Sequence, residues 1–297
     1  MSALGYDGKV AIITGAGGGL GRQHALLMAK RGALIVVNDL GGSVDGTGTN
    51  ASAAQKVVDE IKALGGEAVA DHNSVATPEG GKAIVQTAID TFGRVDIVVN
   101  NAGILRDKAF HNMDPDLLNP VLDVHLKGAF YVTQPAWQHM REQGYGRIIS
   151  TSSAAGVFGN FGQANYGAAK MGLVGFTRVL AVEGAKYNIK ANAIAPLALT
   201  RMTETLLGGL ADKLDPGLVS PLVGFLAHEN CPVSGQLFSV GGGRVAQVFI
   251  GETTGYFNAQ LTPEDVEANW GAITDRTGYA VPSNLGDETA LFLPHFK

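Results

Sequence analysis

Tyr166 and Lys170 stand four residues apart in a stretch, 165–187, whose pattern is helical, so their side chains share one face. A tyrosine hydroxyl, with an ordinary pKa of about 10, is a poor base at neutral pH. A neighbouring ammonium and an adjacent positive ring both favour the phenolate. This assigns Tyr166 to acid–base work and Lys170 to lowering the tyrosine pKa and holding a ribose. Ser153 precedes Tyr166 by 13 residues, just past a strand, where its hydroxyl can hydrogen-bond a substrate oxygen and steady developing charge. Alone, Tyr-x-x-x-Lys is common by chance and describes an exposed helical pair equally well. The upstream serine and a glycine-rich turn near the start of the chain favour catalysis.

That turn, Thr14-Gly15-Ala16-Gly17-Gly18-Gly19-Leu20-Gly21, lies between a strand and a helix. Glycines there let the backbone bend sharply and approach a pyrophosphate, and the helix start offers free N–H groups. Asp39 ends the second strand, 24 residues after Gly15. Its carboxylate can accept hydrogen bonds from ribose hydroxyls and would repel a 2′-phosphate, which favours NAD over NADP; a turn aspartate before Gly41-Gly42 is the structural alternative. Asn100-Asn101-Ala102-Gly103 closes the fourth strand, with small residues for the adenosine half and an asparagine able to tie neighbouring strands.

These residues need a scaffold, and the alternation supplies one. Short, mostly apolar strands are expected at 10–14, 34–38, 68–70, 95–100, 147–150, 190–194 and 236–240. Helices fall between them at 20–30, 51–64, 79–92, 116–142, 165–187 and 216–229. The alternation predicts an α/β fold, a Rossmann-type doubly wound parallel sheet of seven strands. The catalytic domain spans 1–243. Residues 244–297 form an extension packed on the same domain or on a partner subunit, with one short helix capped by Thr262 and opened by Pro263. The loop 40–50, LGGSVDGTGTN, is rich in small polar residues and follows the strand that ends at the ribose position.

The 297 residues carry a net charge of −5 and no basic run, which argues against nucleic acid as a partner. The one cysteine, Cys231, is expected to be packed near a helix end and forms no internal disulfide. No apolar run is long enough to span a membrane, and neither a signal segment nor a peroxisomal C-terminal address is present, so a cytoplasmic location is the expectation.

TGAGGGLG, NNAG, Ser153 and Tyr166-Gly-Ala-Ala-Lys170 resemble the short-chain dehydrogenase/reductase superfamily over roughly residues 7–243. The resemblance implies hydride transfer at nicotinamide C4 and a homodimer or homotetramer, with its interface near 116–142 and 165–187. A narrower resemblance, carried by VNDLGG, DVHLKGAFYVT, GNFGQANYGAAK, IAPLALTRMTET and TPEDVEANW, is to the (3R)-hydroxyacyl-CoA dehydrogenase domain of the multifunctional enzyme type two of β-oxidation, also called 17β-hydroxysteroid dehydrogenase type four. The hydratase and sterol-carrier domains of that enzyme have no counterpart here, so a stand-alone dehydrogenase is expected.

The resemblance implies NAD held by Gly15, Gly19, Leu20, Gly21, Asp39, Asn73, Ser74, Asn101, Ala102, Gly103, Tyr166, Lys170, Pro196, Thr200 and Met202, catalysis by Ser153, Tyr166, Lys170 and His125, and no metal. Ile194, Thr200 and Met202 fit the segment that clasps the carboxamide. His125 stands where most of the superfamily has an asparagine that holds a water in a proton relay; an imidazole can hold a water, carry a proton, or simply pack. Leu197 stands where a glycine is usual, and Gly18 where NADP-using relatives often carry arginine.

The implied reaction is oxidation of a (3R)-hydroxyacyl-CoA, with a fatty or steroid side-chain acyl group, to the 3-ketoacyl-CoA. The stretch 197–210 either lids an apolar substrate or docks on the core; Arg201 and Arg244 could meet a CoA phosphate, although single arginines are usually just solvated. The alternatives are a 17β-hydroxysteroid dehydrogenase acting on free steroids, a 3-oxoacyl-carrier-protein reductase, which Asp39 and Gly18 oppose, and a non-catalytic NAD-binding protein.

Overall fold

In a computed structural model, which describes residues 4–200 and 213–296, the strands are β1 (Val10–Thr14), β2 (Leu34–Asn38), β3 (Glu67–Asp71), β4 (Ile97–Asn100), β5 (Gly146–Thr151), β6 (Ile189–Pro196), β7 (Leu237–Gly241) and β8 (Arg244–Val248). They form one sheet in the order β3-β2-β1-β4-β5-β6-β7-β8, parallel through all six pairings from β3 to β7. Chain order reverses between β1 and β4, and the crevice at that switch point is where a doubly wound sheet holds its ligand.

The parallel strands are apolar throughout because helices cover both faces. Ile13, Ile35, Val37, Ile97 and Val99 pack under α1 (Gly19–Ala29), α2 (Ser52–Ala63) and α8 (Ser220–Ala227). Val10, Ile12, Val36, Val98 and Ile148 pack under α3 (Pro78–Phe92) and α5 (Gly128–Gln143). Cys231 is fully buried just past α8, as expected.

One expectation needs correction. The sheet has eight strands, not seven: a turn with positive φ at Gly242 (55°) and Gly243 (82°) returns the chain as β8 beside β7. The chain divides into two compact units, Met1–Gln247 and Val248–Lys297. The helix expected over 116–142 is present and unbroken, as α4 (Pro115–Leu122), one π-helical turn (Asp123–Lys127) and α5 in direct succession. Pro120 lies inside α4, where its missing N–H leaves the Asp116 carbonyl without its helical donor. π turns of this kind are frequent at functional sites.

The first unit also contains α6 (Ala154–Phe158) and α7 (Ala164–Gly184). In the second unit, α9 (Pro263–Ala268) begins at a capping box in which Thr262 and Asp265 exchange hydrogen bonds. It is followed by α10 (Trp270–Thr274) and α11 (Leu285–Phe292).

His24, on α1, is fully buried, and its Nδ1 lies 2.7 Å from Ser220 Oγ at the start of α8. Burial lowers its pKa from 6.5 to about 3. Between those values the unfolded chain binds a proton that the native protein does not, so the stability this residue contributes is present above pH 6.5 and is lost as pH falls. Thermal stability should therefore fall from pH 6.5 toward 4, and His24→Gln should flatten that slope by up to about 1.4 kcal/mol per pH unit. Parallel slopes for the two proteins would contradict this assignment.

Candidate active site

The β1–α1 turn is shaped by contacts that only glycine allows. Gly15 and Gly19 have φ of 64° and 52°, and a Cβ on Gly15 would sit 2.8 Å from Ala102 Cα. Gly18 precedes α1 with no side-chain cap, so the first-turn N–H groups are left for a ligand. A Cβ on Gly17 would sit 2.9 Å from Asp39 Cγ; without it, Gly17 N–H donates to Asp39 Oδ2 at 2.7 Å, and Gly41 N–H donates to Oδ1 at 2.6 Å. Asp39 thus braces both glycine turns while both its oxygens keep a further lone pair. The bracing and ribose roles are compatible.

Asn101 joins the sheet halves: its Nδ2 donates to Thr14 O (2.9 Å) and Gly15 O (3.1 Å), while Thr14 Oγ1 accepts from the N–H groups of Asn101 and Ala102. On the adenosine side, the buried Asp71 carboxylate accepts from Asn38, from the Asn73 backbone and side chain, and from Thr87. That network fixes the turn carrying Asn73 and Ser74.

A cleft of about 640 Å³ runs across the ends of these strands. It brings together Gly15, Gly19, Leu20, Asp39, Asn73, Ser74, Asn101, Ala102, Gly103, His125, Ser153, Tyr166, Lys170, Pro196 and Thr200. Gly21 does not line it: the residue is buried beneath the turn, where a Cβ would overlap Gly15 O, so its part is packing. Met202, Arg201 and most of the stretch 197–210 lie outside the described residues. Leu197 donates its N–H to Val240 O at 2.8 Å and leaves its side chain half exposed, so its backbone joins β7 in place of the usual glycine. The sequence reading missed Ile104, Val124, Thr151 and the wall formed by Leu40–Val44 and Gly46; the run of small polar residues was the signal for that wall.

At the other end of the cleft, Ser153 caps α6, accepts from Ala155 N–H (3.2 Å) and hydrogen-bonds the Tyr166 hydroxyl. Lys170 is buried, with Nζ donating to Thr151 O at 2.5 Å and lying 5.4 Å from the Tyr166 ring centre. Burial lowers its pKa from 10.5 to about 7. The expected depression of the Tyr166 pKa is not found in this state. Burial raises it, the Ser153 hydrogen bond only partly offsets that, and the Asp107 charge adds to the rise. The lysine is directed to Thr151 instead, so any drop in the tyrosine pKa requires added positive charge.

His125 sits in the π turn. Its Nε2 is 2.7 Å from Ile104 O and 3.0 Å from Ile104 N, its ring stands edge-on to Tyr166 at 5.1 Å, and Nδ1 has no partner. Burial, and then the Lys170 charge, hold its pKa well below 6.5 against the Ile104 hydrogen bond, so the imidazole is neutral.

A strand-to-helix glycine turn, a bracing aspartate at the second strand end, and a Ser–Tyr–Lys cluster across one cleft define a dinucleotide-dependent oxidoreductase. The chain belongs to the short-chain dehydrogenase family, whose sequence model matches residues 9–207. It is an enzyme of that type, and nicotinamide dinucleotides are the cofactors the family generally binds. The glycine cradle, the free N–H groups of α1 and the Asp39 carboxylate fit such a group.

Among relatives, the chain is 51% identical over 276 residues to a short-chain type dehydrogenase/reductase of Mycobacterium tuberculosis, covering 92% of this chain and 96% of that protein. It is 51% identical over 277 residues to the peroxisomal hydratase-dehydrogenase-epimerase of Saccharomyces cerevisiae, covering 92% of this chain but only 31% of that longer protein. The solved structure of full-length peroxisomal multifunctional enzyme type 2 from Drosophila melanogaster superposes with a TM-score of 0.82 at 38% identity, covering 98% of this chain and half (50%) of that one.

The Lys170 pKa has a measurable consequence. Between about 7 and 10.5 the unfolded lysine holds a proton that the native one lacks, so stability from this site rises with pH across that window. Lys170→Met should therefore raise the melting temperature of the cofactor-free protein most below pH 7, with the gain fading toward pH 10. A gain that is constant with pH would contradict a neutralised buried lysine.

Proposed function

We propose that this enzyme oxidises (3R)-hydroxyacyl-CoA thioesters to 3-ketoacyl-CoA with NAD⁺, within β-oxidation of fatty or steroid side-chain acyl groups. The observation that carries the reading is that a single cleft is bounded by Asp39 at one end and by Ser153, Tyr166 and Lys170 at the other.

Tyr166 takes the hydroxyl proton from the substrate as hydride leaves its carbon. Ser153 donates to the substrate oxygen and holds it beside Tyr166. Lys170, one helical turn on, positions the ribose. His125 holds the Ile104 backbone and the tyrosine ring as a neutral imidazole. Bound NAD⁺ supplies the hydride acceptor and the positive charge that the tyrosine site lacks. The choice of NAD is supported by Asp39 and by the absence, among the described residues lining the cleft, of any arginine or any lysine besides Lys170. A 2′-phosphate would meet a carboxylate and no cation.

The substrate class rests on the relatives. A name that joins a hydratase to a dehydrogenase fits consecutive chemistry: adding water across a 2-enoyl thioester makes the 3-hydroxyacyl group that a dehydrogenase oxidises. We also propose a homodimer or homotetramer, supported by exposed Phe130 on α5 and by Val179 and Val182 on α7. The cytoplasmic location is likewise a proposal, set against two relatives with "peroxisomal" in their names. The extension 244–297, packed on its own domain or on a partner subunit, is part of the same proposal. No described helix is long and apolar enough to cross a membrane.

The test follows NADH absorbance with (3R)- and (3S)-hydroxyacyl-CoAs of several lengths, a steroid side-chain hydroxyacyl-CoA, and free 17β-hydroxysteroids. Turnover of (3R)-thioesters should dominate, and Tyr166→Phe should lower it by about 10²–10⁴-fold with NADH binding within about twofold. Turnover of free steroids alone would overturn the thioester reading. Full activity in Tyr166→Phe would overturn the tyrosine's role.

A further inference from the structure

We propose that Arg106 is a positioning residue for the bound dinucleotide: it latches the loop 40–50 across the cofactor cleft, so that its loss frees the cofactor without removing the chemistry. The inference rests on the reading of this cleft as the NAD site.

The loop starts at Asp39, where the adenosine ribose would lie, and its residues Leu40–Val44 and Gly46 form one wall of the cleft. It organises its own tip, with the Asp45 carboxylate directed to Ser43 and Thr47. With that carboxylate occupied locally, the tip reaches the rest of the fold through its backbone. Val44 O accepts from Leu105 N–H at 2.9 Å, and Asp45 O accepts from Arg106 Nε at 2.9 Å. Gly46, with φ of 84°, packs so closely on Ile104 that a Cβ would meet Ile104 Cγ2 at 3.0 Å. The loop therefore bridges from the end of β2 to the segment that follows β4, on the substrate side of the cleft.

Arg106 anchors that bridge in α4. Its Nη1 donates to Asp116 O at 2.8 Å. This is the carbonyl that Pro120 leaves without a helical donor. A planar guanidinium can serve two carbonyls from a fixed fork, whereas a lysine offers one ammonium. The Arg106 main chain makes a separate connection: its carbonyl accepts from Asn165 Nδ2 at 2.9 Å, and the same amide donates to Leu117 O at 2.8 Å while Asn165 Oδ1 accepts from Tyr166 N–H at 2.7 Å. Substituting the Arg106 side chain leaves that backbone support of Tyr166 intact. The two effects, on cofactor retention and on chemistry, are therefore separable.

The experiment measures NADH release by stopped-flow nicotinamide fluorescence, together with steady-state oxidation of a (3R)-hydroxyacyl-CoA, in wild type, Arg106→Ala, Arg106→Lys and Gly46→Val. Gly46→Val attacks the same bridge from the loop side, and so tests it even if one variant fails to fold. Arg106→Ala should release NADH at least about tenfold faster, from the loss of two charge-assisted hydrogen bonds, with KM for NAD⁺ raised and the rate at saturating NAD⁺ at or above wild type. Arg106→Lys should fall between, and Gly46→Val should also release NADH faster than wild type. Release within twofold of wild type in both Arg106→Ala and Gly46→Val would overturn the inference. So would unchanged release with a fallen saturated rate, which would make Arg106 a support for Tyr166 alone. Absence of any NADH binding by wild type would instead overturn the cofactor reading, and the inference with it.

Discussion

Two hydrogen bonds from one amide, Asn101 Nδ2 to Thr14 O and Gly15 O, hold the ends of β1 and β4 together at the point where strand order reverses. Parallel strands there lead their chains away in opposite directions, one into α1 and one toward the π turn. The crevice between them exists because these ends are tied and because Gly15 carries no Cβ to push Ala102 away. The glycine turn, the Asp39 bracing and the cleft wall hang from one side of that tie. Ile104, His125 and Tyr166 hang from the other. A side chain at Gly15, or loss of the Asn101 amide, would separate two halves that act only together.

The chemistry end of the cleft is electrostatically unusual. Lys170 is buried with a carbonyl as its partner and no carboxylate, beside a neutral imidazole and a tyrosine whose hydroxyl is harder to ionise than in water. Burying charges without partners costs heavily, so such groups lose or keep protons to stay near neutral. The cluster is thus held short of the charge distribution that proton abstraction needs. A bound oxidised nicotinamide would bring the missing positive charge into a site of low dielectric, where its effect on a phenol would be large.

Much of this was legible in the sequence because its signals are local. The glycine turn, Asp39 at a strand end, and the Ser153, Tyr166 and Lys170 spacing each follow from neighbours in the chain, and the strands of the parallel sheet follow from apolar runs. Features that depend on distant partners were not legible. β8 is short and half exposed, so RVAQV carries no apolar pattern. The π turn keeps helical periodicity and hides inside it. Gly21 reads like its neighbouring glycines, although it packs inward. The direction of the Tyr166 shift depends on burial, and the roles of Asn165 and Arg106 depend on carbonyls that only tertiary structure brings near.

In the proposed reaction one cleft binds NAD against Asp39 and presents it to Tyr166. The most direct test is titration of the wild-type protein with NADH and with NADPH, followed by nicotinamide fluorescence at fixed ionic strength. NADH should bind at least about tenfold more tightly, a difference of ~1.4 kcal/mol, because a 2′-phosphate would face the Asp39 carboxylate with no arginine, and no lysine besides Lys170, among the described residues lining the cleft. Equal or tighter binding of NADPH would contradict it.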